Sequence, residues 1–218
     1  MIKGVIFDFD GLLVDTESIW YEAYKEAMLD RYSVEIELAK YSGCIGTSDE
    51  GLYEYFCELT GQAVTYEEIE GLAAKKYREK MKTPVLREGV IEYLEEARKS
   101  GLRIGLASSS SRKWVEEYLT RLHTTEYFEV INTKDDVRKV KPDPELYVKT
   151  LEDLGLQPSE AIVFEDSLNG LAAAKRAGIY CVVVPNDVTR DLAFEGYGCR
   201  LESMKEKELG EVIENVTD

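Results

Sequence analysis

Five short apolar runs, at residues 5–7, 102–107, 129–131, 161–164 and 179–184, constrain this 218-residue chain more than any other feature. From residue 85 onward, helical patterns separate them. Val90, Leu94 and Ala97 recur at helical spacing before Gly101, and WVEEYL follows the serine run at 108–111. Residues 145–154 end at Gly155, and residues 168–177 end at Gly178. Strands that alternate with helices fold as a parallel sheet covered on both faces. The expected class is therefore α/β, with a Rossmann-like core.

One spacing breaks the rhythm. A strand–helix–strand unit takes about 30 residues, yet residues 10 to 102 separate the first two runs. The intervening stretch is helical. A first helix covers 17–31, Ser48 is a candidate N-cap ahead of Leu52, Phe56 and Leu59, and Thr65 to Glu68 form a capping box. The expectation is an all-helical domain at 15–84, inserted after strand one into an α/β core made of 1–14 and 85–218. Hinges are expected at 14–18 and 82–88.

The first run ends in Asp8-Phe9-Asp10-Gly11. Side chains two apart on an extended chain point the same way, so both carboxylates face one site. Asp10-Gly11 is also a hairpin-turn signal. A calcium loop fails, because that loop needs glycine at its sixth position and Gly11 is fourth from Asp8.

Ligands of open parallel sheets bind beyond the carboxyl ends of the strands. Asp8 and Asp10 follow strand one, Ser108 follows strand two, Lys139 and Lys141 lie beyond strand three, and Glu165 and Asp166 follow strand four. Four acids sharing a pocket would resist ionising together. A hard divalent cation relieves that repulsion, and oxygen-only ligands point to Mg²⁺. With a lysine and helix N-termini, the set makes a phosphate site. Taken singly, Ser108 is an N-cap and Lys141 a solvated charge; the coincidence of four strand ends favours chemistry.

Net charge and residue usage exclude other classes. A charge of −16 opposes nucleic acid and anionic membranes. The single histidine, His123, sits just past a helix and leaves little room for histidine triads or multi-histidine metal sites. The four cysteines are scattered, and no apolar run is long enough for a spanning helix or a signal peptide. The expectation is a cytoplasmic monomer with reduced thiols.

In order, DFDGLLVDTE, LASSS, VKPDPELY and FEDSLNGLAAAKRAG resemble the four motifs of the haloacid dehalogenase-like superfamily. The match is nearest its phosphatases and mutases with an inserted helical cap. The resemblance implies Asp8 as a nucleophile that becomes phosphorylated and Asp10 as acid and base. It implies Ser108 and Lys141 as holders of the phosphoryl oxygens. Asp8, the Asp10 carbonyl and Asp166 would bind Mg²⁺, with Glu165 supporting the metal. Family dehalogenases lack the second aspartate, so Asp10 favours phosphoryl transfer. Ser109, Trp20 and Lys76 are expected substrate contacts, although Trp20 could pack the cap core and Lys76 could be a surface charge. The related β-phosphoglucomutase carries a histidine at the place of Trp20, a basic residue at Ile45 and an arginine at Asp49.

The expected activity is hydrolysis of a small phosphorylated metabolite, with a sugar phosphate or inorganic pyrophosphate as candidates. The rival readings are a sugar-phosphate mutase and a non-catalytic binder of a phosphorylated ligand or partner protein.

Overall fold

The structure is a computed structural model, and it describes residues 1–44 and 50–217. Ile45, Ser48 and Asp49, singled out above, lie outside the described residues. The first apolar run forms β1 (Gly4–Phe7) and leads into four helices, α1 (Thr16–Tyr32), α2 (Leu38–Ser42), α3 (Glu50–Thr60) and α4 (Tyr66–Lys80). Alternation follows: α5 (Val90–Lys99), β2 (Arg103–Ala107), α6 (Arg112–Arg121), β3 (Val130–Asn132) and α7 (Glu145–Leu154). The chain then runs through β4 (Ala161–Glu165), α8 (Leu168–Arg176), β5 (Tyr180–Val183), β6 (Cys199–Arg200) and α9 (Leu209–Thr217).

All six strands are parallel, in the order β3-β2-β1-β4-β5-β6. This is the Rossmann-like order, and its crevice lies beyond the carboxyl ends of β1 and β4. Burial on both faces explains the nearly unbroken apolar strands. Val5, Phe7, Ile162 and Phe164 point to the face covered by α5, α6 and α9, through Val90, Leu94, Val115 and Leu209. Ile6, Ala161 and Val163 point to the opposite face, covered by Leu146 and Leu151 of α7 and Leu171 of α8.

The helical stretch folds on its own side chains. In α4, Ile69, Ala73 and Tyr77 are buried at a four-residue spacing, and they meet Ala23, Ala27 and Met28 of α1. Asp15 caps α1 by accepting the Ser18 N–H at 3.1 Å, and Thr65 caps α4 through the Glu68 N–H at 3.2 Å.

The hairpin reading needs correction. Asp10-Gly11 does turn, with the Phe9 carbonyl accepting the Leu13 N–H at 2.9 Å. No antiparallel strand follows; Asp10 makes a single parallel bridge to Val14, and the chain passes into α1. Beyond the last long apolar run, β6 adds a short strand beside β5. A two-residue strand has no period to read.

None of the four cysteines forms a disulfide. No helix among the described residues is long and apolar enough to cross a membrane. His123 follows α6 with φ 56° and donates its N–H to the Thr120 carbonyl, a helix-ending position as expected.

Gly89 opens α5 with φ 83°, and a Cβ there would overlap the backbone of Met204 and Lys205. The left-handed region costs a side-chain-bearing residue about 1–2 kcal/mol, and the overlap adds displacement of a neighbouring segment. Gly89→Ala is therefore expected to lose at least about 2 kcal/mol, which lowers Tm by several degrees. Thermal and urea melts check this.

Candidate active site

Strand geometry brings the expected charges together. Asp8 directly follows β1, and its N–H bonds the Phe164 carbonyl of β4 at 3.1 Å. Glu165 ends β4, so the two acids are neighbours across the ladder. Lys141 reaches in from the loop after β3 and donates to Asp8 Oδ1 at 2.5 Å and to Glu165 Oε1 at 2.7 Å. Its ammonium is closed off from water, with the residue only 2% exposed.

Burial opposes the Lys141 charge, but Asp8 and Glu165 outweigh it and hold its pKa above the usual lysine value. The pKa of Asp8 is pushed up to about 7 by burial, with Glu165 and Asp10 adding to the rise and Lys141 working against it. Burial, with the charges of Asp8 and Glu165, likewise raises Asp166 well above the carboxylate range. The cluster is short of positive charge.

The support for Glu165 is complete. Oε1 also accepts from the Tyr147 hydroxyl, while Oε2 accepts from the Asp166 N–H at 3.2 Å and the Ser167 hydroxyl at 3.3 Å. A Cβ on Gly170 would overlap this carboxylate, so α8 needs glycine there to approach β4. Asp166 is different. Asn186 donates to its Oδ2 at 2.7 Å, but its buried Oδ1 has no hydrogen-bond partner among the described residues.

The orphaned Oδ1 gives the test of a metal. Asp8, Glu165 and Asp166 each offer an oxygen within 4.8 Å of the others. A hard divalent cation fits this oxygen-only set and supplies the missing charge. Glu165 already has a protein donor on each oxygen, whereas Asp166 presents a bare one.

Asp10 lines a cavity of about 440 Å³ together with Asp8, Ser108, Ser109, Lys141 and Asp166. Its Oδ1 accepts from Thr16 Oγ1 and Trp114 Nε1, both at 2.9 Å. Its Oδ2 accepts from Ser110 Oγ at 2.6 Å and Ser108 Oγ at 3.5 Å. Ser109 has a buried hydroxyl oxygen with no partner among the described residues. The helix after β2 is capped by Ser111, which accepts the Trp114 N–H at 3.3 Å. Ser108 thus stands three residues ahead of the cap, in the loop, rather than in the capping place.

The helical stretch covers the other side. Trp20, Tyr24, Tyr41, Leu52, Cys44, Glu17 and Glu70 line the cavity. Trp20 lines the cavity and also stacks on Tyr77 at 4.2 Å. Lys76 is a correction. It is not among the lining residues, and its ammonium bonds Asp30 at 2.8 Å and approaches Glu26 at 3.5 Å on α1. Tyr77 and Ala73 point inward on α4, which turns Lys76 toward the acids of α1. Lys139 is also outside the lining, 3.9 Å from Asp143.

Sequence reasoning missed Ser110, Trp114, Tyr147 and Asn186. The strand-end rule reaches Asn186, which lies just beyond β5; the others depend on which helix face turns inward.

Removing one partner of a buried ion pair typically costs ~3–5 kcal/mol. Lys141→Ala should lose stability in that range, because Asp8 and Glu165 are left facing each other without a cation. Urea denaturation of the metal-free protein at about pH 8 checks this, and a loss below about 1 kcal/mol would contradict it.

A profile of the haloacid dehalogenase-like hydrolases matches residues 5–184. The chain is 46% identical over 218 residues to YhcW of Bacillus subtilis, provisionally designated a phosphatase, covering 99% of this chain and 98% of that one. It is 34% identical over 184 residues to a phosphorylated carbohydrates phosphatase of Thermotoga maritima, covering 82% of each. The crystal structure of CbbY from Rhodobacter sphaeroides in complex with phosphate superposes with a TM-score of 0.76 at 30% identity, over 94% of this chain and 96% of that one.

Proposed function

The chain belongs to the haloacid dehalogenase-like hydrolases, and within that family we propose that it is a Mg²⁺-dependent phosphatase of small phosphorylated carbohydrates, working through a phosphorylated Asp8. One observation carries the reading: Asp8, held by Lys141, and Asp10, held by four donors, face one cavity as two carboxylates with different surroundings. The relatives named as phosphatases support the same class of reaction.

In the proposed mechanism an oxygen of Asp8 bonds to phosphorus while the bond to the substrate's alcohol oxygen breaks. Asp10 gives that oxygen a proton. In the second half Asp10 takes a proton from water as its oxygen bonds to phosphorus, and the bond to Asp8 breaks. Lys141 fixes the Asp8 carboxylate, and Ser108 and Ser109 hold phosphoryl oxygens. Asp8, Asp166 and the Asp10 carbonyl would hold Mg²⁺, which would neutralise charge on the phosphoryl group. Glu165 would act by bracing Lys141.

We read α1–α4 as a cap that encloses the rest of the substrate. Its lining is aromatic and acidic, through Trp20, Tyr24, Tyr41, Glu17 and Glu70. Aromatic faces and carboxylate acceptors suit a hydroxylated carbon chain. They do not suit a second phosphate, and the lining cations among the described residues, Lys134 and Lys141, come from the sheet side.

Stripping the protein with a chelator should abolish hydrolysis of p-nitrophenyl phosphate, Mg²⁺ should restore it, and Asp8→Asn should stay inactive in both states. Full activity in excess chelator would refute the metal. Against the mutase reading, ³¹P NMR of β-glucose 1-phosphate with enzyme, Mg²⁺ and a trace of glucose 1,6-bisphosphate should show free phosphate and no build-up of glucose 6-phosphate. Glucose 6-phosphate forming faster than phosphate would replace hydrolase with mutase.

A further inference from the structure

Trp114 touches both Asp10 and the helical stretch. It lies in the first turn of α6, and its indole N–H donates to Asp10 Oδ1 at 2.9 Å. Its ring sits 4.8 Å from Tyr118 on the same helix, 5.5 Å from Tyr77 of α4 and 6.4 Å from Trp20 of α1. The turn that carries it is pinned. Ser111 accepts its backbone N–H, and Arg112 donates its N–H to Asp135 at 2.8 Å and its guanidinium to Asp136 at 2.7 Å.

The two oxygens of Asp10 are held by different kinds of donor. An indole N–H can only donate. Thr16 Oγ1, the second partner of Oδ1, itself accepts the Gly11 N–H at 3.2 Å, which leaves its proton for Asp10. Oδ1 is therefore committed as an acceptor of two hydrogens. Oδ2 faces Ser110 Oγ at 2.6 Å, and that hydroxyl can turn from donor to acceptor; Ser108 Oγ, which itself accepts the Ser110 N–H at 3.0 Å, lies at the longer 3.5 Å. Oδ2 can carry a hydrogen directed at Ser110 Oγ, whereas on Oδ1 a hydrogen would face two donors at 2.9 Å.

We propose that Trp114 is a positioning residue for proton transfer by Asp10, committing Oδ1 as an acceptor so that Oδ2 exchanges the proton with the leaving oxygen and then with water. The inference rests on the phosphatase reading. In the first half the O–H bond at Oδ2 breaks, the proton passes to the alcohol oxygen leaving phosphorus, and Asp10 is left as carboxylate. In the second half water gives its proton to Oδ2 as the phosphorus–Asp8 bond breaks, and Asp10 returns to its starting form. Trp20 and Tyr77 hold the ring, so the donor's aim depends on the helices that cover the pocket.

The test compares leaving groups. An aryl phosphate leaves without a proton, whereas an alkyl phosphate needs one. Trp114→Phe keeps a ring and removes the N–H. Its kcat/KM should fall at least about tenfold for a hexitol 6-phosphate and less than about threefold for p-nitrophenyl phosphate, within the ~10²–10⁴-fold scale of acid–base catalysis. Trp114→His, which restores a ring N–H, should recover part of the alkyl rate. If Trp114→Phe loses its fold by thermal melt, β-(3-benzothienyl)alanine at position 114 replaces it, keeping the bicyclic shape without the N–H. An equal loss on both substrates, or no loss on either, overturns the inference and leaves the phosphatase reading intact. A wild-type protein that hydrolyses neither substrate overturns both.

Discussion

Among the described residues Lys141 is the one cation buried among three acids, and the arrangement of the sheet follows from what it must reach. β1 lies between β2 and β4, so Asp8 and Glu165 end adjacent strands, while Lys141 arrives from beyond β3 on the far side of β2. Burying charges is costly unless each is paired and hydrogen-bonded. That requirement recruits Tyr147 from α7 and Ser167 from the start of α8, both onto Glu165. It also explains Gly170, because any larger residue would drive α8 off the carboxylate. Lys141, Tyr147 and Ser167 thus converge on the one carboxylate of Glu165. Asp166 remains with a bare buried oxygen, and this is where the internal charges fail to balance.

Much of this arrangement is legible in the amino-acid sequence. Parallel strands deliver their last residues to one edge, so Asp8, Asp10, Ser108, Glu165 and Asp166 can be assembled from the ends of apolar runs, whereas beyond the third run Lys139 and Lys141 are offered together and the motif resemblance singles out Lys141. What escapes is information carried by helix faces. The serine run obscures where α6 begins, and placing its cap at Ser111 rather than Ser108 rotates Trp114 toward Asp10. Lys76 is misplaced for a related reason. The buried stripe Ile69, Ala73 and Tyr77 of α4 can be read from its spacing, but the acids Glu26 and Asp30 beside Lys76 belong to α1. No local pattern reveals which helix packs on which. The strand β6 escapes because two residues cannot show alternation.

The lysines of the cavity are confined to one side, where Asp8, Asp10 and Asp166 accompany them. Lys134 and Lys141 are on the sheet side, while Glu17 and Glu70 come from α1 and α4. On a chain with net charge −16, an anion is attracted only where local cations reverse the field. One phosphate can meet that condition at the sheet edge. A second, pressed against the acids and aromatic rings of the helices, would lose its water without gaining a cation.

The two crossings between sheet and helices are anchored differently. At the second, Arg87 donates to the carbonyls of Gly11, Val184 and Pro185 at 2.5–3.1 Å, and its own N–H bonds the Leu13 carbonyl at 2.9 Å. Asn186, which holds Asp166, also bonds the Gly11 carbonyl, at 3.3 Å. Gly11 itself has φ 76°, and a Cβ there would overlap Asp166 and Asn186. Residue 87 is thereby tied to the ends of β1 and β5, so movement of the helices cannot reach Asp166 by that route without breaking buried hydrogen bonds. The first crossing has no such buffer. Thr16 is the first residue of α1 and also bonds Asp10 Oδ1. Displacing α1 pulls on the Asp10 carboxylate directly, and Trp20, one turn further along, carries the same displacement to the ring of Trp114. Asp10 is thus hydrogen-bonded directly to α1, one of the helices that cover the pocket, whereas the hydrogen bonds around Lys141 all come from the sheet side.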